Sequence, residues 1–283
     1  VDLSDRALSS STMAGHGSFD YTGESAIVTG STKGIGRGIA ESLAESGANV
    51  AINARTAADI DEAVTEMNAD HEGDIIGVPG DVSDPADVET LVETAVEAFG
   101  TIDLLVNNAA MWPREESMIE ASLDDWNQVL DVNVRSQFYT AKLVAEHMIE
   151  RGIEGNIINV TSQTGDRRCG GRGLYGTSNT AINGLTWRMA YDYAQHGIRV
   201  NAVSTDVTET YQLRYEAEMI SEDDPERSAD DVLADWGASR PLGRLGQPSD
   251  LGNAVLFLAS DRASYVVGTI LRVSGGGNLQ GDT

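Results

Sequence analysis

The segment Thr29-Gly30-Ser31-Thr32-Lys33-Gly34-Ile35-Gly36 has the residue types needed to hold an anion. It follows a short apolar run, Ala26-Ile27-Val28, and opens a helix-like stretch from residue 35. Glycines let main chain approach a pyrophosphate closely, and a helix N-terminus offers free N–H groups at the positive end of its dipole. In that strand–turn–helix setting the pattern points to a dinucleotide, with Gly30, Ser31, Lys33, Gly34, Ile35 and Gly36 as its cradle. A second group is cationic. Arg167, Arg168 and Arg172 lie within six residues, and Trp112-Pro113-Arg114 occupies another loop. Guanidinium forks suit carboxylates and phosphates. These arginines, with Trp112, are candidate contacts for an anionic substrate such as a sugar acid or an acyl thioester. Pairing with surrounding acids, or a subunit contact, would use the same charges. The histidines His16, His71, His147 and His196 show no paired ligand spacing, so no catalytic metal is expected.

The elements that must carry these residues alternate in type. Strand candidates are 26–28, 50–52, 75–78, 104–106, 157–160, 199–203 and 269–273, separated by helix-like stretches at 35–46, 57–69, 85–99, 124–150, 176–195 and 248–259. Asp84-Pro85 and Pro248-Ser249-Asp250 are helix-start signals. Continuous apolar strands alternating with helices predict a parallel sheet covered on both faces, with right-handed crossovers and a doubly wound α/β architecture of about seven strands. A length of 283 residues suits one such domain, 18–283, preceded by a Ser/Gly-rich segment, 1–17, expected to be a mobile tail. The acidic stretch 205–240 interrupts the alternation and reads as a solvated helical insertion, a lid over the site, or both.

Composition excludes several partners. Forty-five acids against nineteen bases give a net charge of −26, and only Lys33 and Lys142 are lysines. No basic stripe exists to meet nucleic acid. The apolar runs are short of a membrane span, and the first residues lack the apolar core of a secretory signal. One cysteine, Cys169, excludes an intrachain disulfide and makes a reducing cytoplasm the expected compartment. So large an acidic excess would destabilise a compact state by self-repulsion, and concentrated salt removes that penalty. Acid-rich, lysine-poor surfaces resemble those of proteins from salt-accumulating halophiles.

The glycine spacing resembles the T-G-x-x-x-G-x-G of short-chain dehydrogenases/reductases, in particular the 3-oxoacyl-reductase-like and glucose-dehydrogenase-like members. The resemblance continues in register over residues 19–280. Asp81-Val82 stands where the family holds the adenine. Asn107-Asn108-Ala109-Ala110 is similar to its N-N-A-G, and Asn133 to its helical asparagine. Ser162 and Tyr175 stand thirteen residues apart, as the family's serine and tyrosine do. Pro241-Leu242-Gly243-Arg244 and Val273-Ser274-Gly275-Gly276 match its C-terminal run. The resemblance implies a carbonyl or secondary-alcohol oxidoreductase. Tyr175 would transfer the proton, Ser162 would hydrogen-bond the reacting oxygen, and Asn133 would support a water relay. Asn108, Ala109, Thr208 and Thr210 join the cofactor set, and a homotetramer or homodimer is expected.

Two departures stand out. Tyr175 is followed at i+4 by Asn179 where the family has lysine. The two share a helix face, so Asn179 is expected in the lysine's place. There an amide can hold the nicotinamide ribose without supplying the charge that lowers the tyrosine pKa. An ordinary tyrosine titrates near pH ~10, so much of the ~10²- to 10⁴-fold benefit of acid–base help is at risk. The alternatives are an inactivated variant, an enzyme whose cation comes from Arg167, Arg168 or Arg172, and a nucleotide-binding regulator or inert relative without turnover. The second departure is Thr205-Asp206 in place of the family's Pro-Gly. Asp206 would bring a negative charge to the nicotinamide end or serve as a plain solvent-facing acid. At the adenosine end, Ala54 stands where NAD-preferring relatives carry Asp, and Arg55 follows. With Lys33 near, NADP(H) is expected over NAD(H).

Overall fold

A computed structural model of the chain describes residues 18–70, 73–113, 117–166, 173–224 and 226–279. The expected tail 1–17, and the arginines Arg114, Arg167, Arg168 and Arg172, lie outside the described residues. The sheet has seven parallel strands, β1 (Ser25–Val28), β2 (Asn49–Ala54), β3 (Ile75–Pro79), β4 (Leu104–Asn107), β5 (Asn156–Ser162), β6 (Arg199–Thr205) and β7 (Ile270–Val273). Their spatial order is β3-β2-β1-β4-β5-β6-β7. The order reverses direction at β1/β4, and ligands in such sheets bind outside the carboxyl ends of the strands at that crevice.

Period-two alternation divides the strands between two cores. Ala26, Val28, Val50, Ile52, Leu104, Val106 and Ile158 face one. It is covered by α1 (Gly34–Glu45), α2 (Ala57–Asp70) and α9 (Pro248–Ala259). Ile27, Ala51, Leu105 and Ile157 face the other. That side is covered by α3 (Pro85–Phe99), α5 (Ser136–Arg151) and α6 (Gly173–Tyr193). Both faces of β1 and β4 are fully buried, which is why these strands read as unbroken apolar runs. Asp84 caps α3 by accepting from Ala86 N at 3.0 Å, with Pro85 at the first helical position.

The expected single helix over 124–150 is interrupted. It divides into α4 (Leu123–Leu130), a π-helical turn over Asp131–Arg135, and α5. Asn133 lies fully buried within the turn. Its Oδ1 accepts from Met111 N at 2.8 Å, and its Nδ2 donates to Met111 O at 2.8 Å and to Ser178 Oγ at 3.0 Å. A wider turn is a recurrent way to aim such a side chain at a functional region. The 205–240 excursion forms two helices, α7 (Tyr211–Asp223) and α8 (Ala229–Ala238). They share a small core of Ala217, Val232 and Leu233, distinct from the two main cores.

Candidate active site

The glycine turn joins β1 to α1. Gly30 and Gly34 adopt φ of 62° and 61°, a left-handed conformation that side-chain-bearing residues avoid. Gly36 is required by approach instead: a Cβ there would lie 2.3 Å from Gly30 O and 2.4 Å from Asn108 Nδ2. Asn108 fastens the turn to β4, donating from Nδ2 to Thr29 O and Gly30 O, both at 2.9 Å. Thr29 Oγ1 accepts in return from Asn108 N and Ala109 N at 3.0 Å. Ser31 is buried and donates to Val28 O at 2.6 Å, so its hydroxyl braces the turn. At the start of α1, Lys33 holds the N-cap position without a side-chain bond to the helix amides, and no acid occupies the first turn. The N–H groups of Gly34, Ile35 and Gly36 are therefore left for an anion. These residues fit a dinucleotide pyrophosphate.

The carboxyl ends of β2 and β3, where the sequence places the adenosine, are polar and charged. Arg55 is exposed just beyond β2, and Lys33 Nζ lies 3.1 Å from Asp59 Oδ2. Burial alone would raise the Asp81 carboxyl. Hydrogen bonds from the Ser83 hydroxyl and N–H, with Arg55 nearby, bring it below its ordinary value. Val82 follows it, buried.

Ser162 closes β5 at the same edge, 8% exposed, its Oγ accepting from Thr164 N at 3.3 Å. Tyr175 lies in the first turn of α6, and its ring meets Trp112 edge-on, centroids 5.8 Å apart. Asn133 ties the two aromatic residues' backbones together. It clamps Met111, the neighbour of Trp112, and contacts Ser178, whose hydroxyl donates to Tyr175 O at 2.8 Å. Asn179 is buried, 2% exposed. Its Nδ2 donates to Tyr175 O at 2.9 Å and its Oδ1 accepts from Thr161 Oγ1 at 3.1 Å. The amide thus joins the tyrosine-bearing start of α6 to Thr161, the residue preceding Ser162 on β5. Asp166, past the serine, is held by Arg272 at 2.8 Å and by Asn183 Nδ2 at 3.1 Å.

Beyond β6, Thr208 Oγ1 lies 2.8 Å from Thr205 Oγ1, and Thr210 caps α7 by accepting from Leu213 N at 3.2 Å. Asp206 is neither solvent-facing nor unpaired: its Oδ2 is 2.6 Å from Arg240 Nε. Sequence reasoning missed Arg240, Thr161 and Ser178, whose partners Asp206, Asn179 and Asn133 lie far away in sequence. Among the described residues no group of three His, Cys, Asp or Glu side chains is placed to hold a metal. No helix among them is long and apolar enough to cross a membrane.

A parallel sheet with a glycine-lined crevice and a serine–tyrosine pair at its carboxyl edge defines a dinucleotide-fold oxidoreductase. The family comparison agrees: the family described as enoyl-(acyl carrier protein) reductase matches residues 30–278, and the chain belongs to the short-chain dehydrogenase/reductase family. It is 34% identical over 260 residues to glucose 1-dehydrogenase 2 of Bacillus subtilis, covering 92% of this chain and 96% of that one. It is 34% identical to the 3-oxoacyl-(acyl-carrier-protein) reductase of Escherichia coli, covering 91% and 98%. The structure of L-sorbose reductase from Gluconobacter frateurii, complexed with NADPH and L-sorbose, superposes with a TM-score of 0.87 at 28% identity, covering 92% and 98%.

Proposed function

We propose that the protein passes hydride between NADP(H) and the carbon of a carbonyl or secondary alcohol. The observation that carries this reading is the uncapped α1 N-terminus opening onto the same sheet edge as Ser162 and Tyr175. When bound, the nicotinamide supplies or accepts the hydride. The Tyr175 hydroxyl moves the proton at the substrate oxygen, the Ser162 hydroxyl donates a hydrogen bond to that oxygen, and Asn133 holds the loop bearing Trp112 against the tyrosine helix. Gly34, Ile35 and Gly36 bind the pyrophosphate through their amides. Arg55 and Lys33 favour a 2′-phosphate, Lys33 exchanging Asp59 for it. The NADPH complex of the sorbose reductase supports that preference.

The substrate reading draws on two sources. The arginines Arg167, Arg168 and Arg172 favour an anionic group, and the sugar-named relatives favour a polyhydroxylated carbonyl compound. A sugar acid satisfies both. Helices α7 and α8 would form a lid over it. The exposed Phe138 and Ile149 of α5 and Trp187 and Tyr191 of α6 support a homodimer or homotetramer, and the charge of −26 supports work in concentrated salt.

A second reading, nucleotide binding without turnover, is favoured by one observation. Asn179 brings no charge to Tyr175, and its amide is already bonded to Thr161 and to the tyrosine carbonyl. Following NADPH absorbance with aldose, ketose and keto-acid panels in molar KCl separates the two. Oxidation of NADPH by at least one panel member is expected. Binding without oxidation, even in Asn179→Lys, would establish the second reading.

A further inference from the structure

The turn after β6 spans the crevice. Thr205 pairs with Ser162 on the neighbouring strand, so Asp206 stands one residue beyond the pair that holds the serine. At the other end, Thr210 Cγ2 lies 3.4 Å from where a Cβ on Gly34 would sit. Residues 206–210 therefore run from the serine to the phosphate cradle. On its outer side the turn is fastened to the 243–247 segment. Thr208 bridges Gly246, Glu209 N donates to Gly246 O at 2.8 Å, and Gly246 N donates to Val207 O at 3.0 Å. Gln247 Nε2 adds a bond to Glu209 Oε2 at 2.7 Å.

The contact between Asp206 and Arg240 differs in kind. Its side chains are 11% and 14% exposed, making it the most deeply buried ion pair among the described residues for which exposures are given. The C-terminal segment roofs it: a Cβ on Gly277 would lie 2.3 Å from Asp206 Oδ2. Arg240 follows α8, so the pair joins the start of the α7–α8 arm to its end. A desolvated ion pair adds little net stability over apolar packing, whereas removing one partner leaves a buried charge unpaired. Here Arg240 Nε lies 2.6 Å from Asp206 Oδ2 and Nη2 donates to Oδ1 at 3.4 Å, so the two segments meet at two points.

We propose that Asp206 and Arg240 are a positioning pair for the nicotinamide end of the cofactor, holding the 206–210 turn at the spacing from Ser162 and Gly34 that a bound dinucleotide requires. Neither residue touches the reacting atoms. The inference rests on the dinucleotide reading above, and it makes an asymmetric demand. The adenosine end, at Arg55 and Asp81, lies just past the carboxyl ends of β2 and β3, at the opposite side of the sheet from the pair.

Calorimetry in molar KCl, comparing NADPH with 2′,5′-ADP as the isolated adenosine half, tests it. Asp206→Asn and Arg240→Gln should each weaken NADPH by about 10-fold or more and 2′,5′-ADP by less than about 2-fold. The double variant should lose no more than the worse single one, because the two side chains act as a unit. Arg240→Lys keeps the charge but loses the two-point fork to Asp206, so its NADPH affinity should fall between those of the parent and Arg240→Gln. Equal weakening of both ligands, or unchanged NADPH affinity in both single variants, would overturn the positioning role while leaving the dinucleotide reading intact. A parent protein that takes up neither ligand would overturn both.

Discussion

The turn from β1 into α1 and the turn from β6 into α7 leave the sheet at the same edge and treat their helices oppositely. The first is glycine and main chain, and its helix begins with no side-chain cap. The second places Thr210 at the N-cap, where its hydroxyl satisfies Leu213 N, and anchors its start with the Asp206–Arg240 ion pair. The Thr210 cap takes up one of the first amides of α7, whereas no side chain caps those of α1, which are left for an anion. One turn is built to receive a charged group, the other to stay where it is.

That contrast is broken most severely at Gly36. In Gly36→Val the new Cβ meets Gly30 O and Asn108 Nδ2 at 2.3 and 2.4 Å, both within the cradle itself. Nucleotide affinity measured by titration should fall by about 100-fold or more. Parent-like affinity would remove the cradle from the phosphate site. At the reaction centre, Tyr175→Phe should lower turnover by about 10²- to 10⁴-fold with nucleotide affinity unchanged. Asn179→Lys should raise turnover at neutral pH and move the pH dependence of alcohol oxidation toward lower pH. Absence of any shift would show that charge at this position is not what limits the tyrosine.

The capped turn gives smaller effects. Thr210→Ala should cost about 1 kcal/mol of stability, the usual value of a lost N-cap, read from denaturant unfolding. A change within error would mean the cap bond carries no load.

The smallest expected effect lies at the opposite edge of the sheet, where like charges gather. Burial, with Asp103, Asp261 and Asp20 close by, raises the Glu24 carboxyl above its ordinary value. A raised carboxyl pKa favours the fold only where the group is protonated, and that contribution is lost as pH rises through the folded-state value. Glu24→Gln should therefore stabilise the protein at pH 7 and not below about pH 4. Because this residue keeps more than a third of its surface in solvent, the gain is on the order of 0.5 kcal/mol or less, and it should shrink in molar KCl. A larger gain at low pH would reverse the assignment.

What the sequence makes legible follows the range of the interactions. The central strands are readable because they are buried on both faces, and the glycine turn because its steric demands are local. The π-helical turn is not. It depends on Asn133 reaching Met111 and Ser178, and nothing in the spacing of Val132 and Val134 distinguishes it from an ordinary helix. The i, i+4 rule puts Asn179 on the tyrosine's face of the helix, but its side chain turns to Thr161 on the adjacent strand. Arg240 is invisible for the same reason, since its partner lies thirty-four residues earlier.

The central claim is that the bare N-terminus of α1 holds a dinucleotide whose far end reaches Tyr175. A crystal structure of the protein grown with NADP+ in high salt tests it directly. The account predicts pyrophosphate oxygens on the Ile35 and Gly36 amides, with the nicotinamide beside Tyr175 and Ser162. Density for the nucleotide anywhere else, or pyrophosphate on the α7 N-terminus instead, would contradict it.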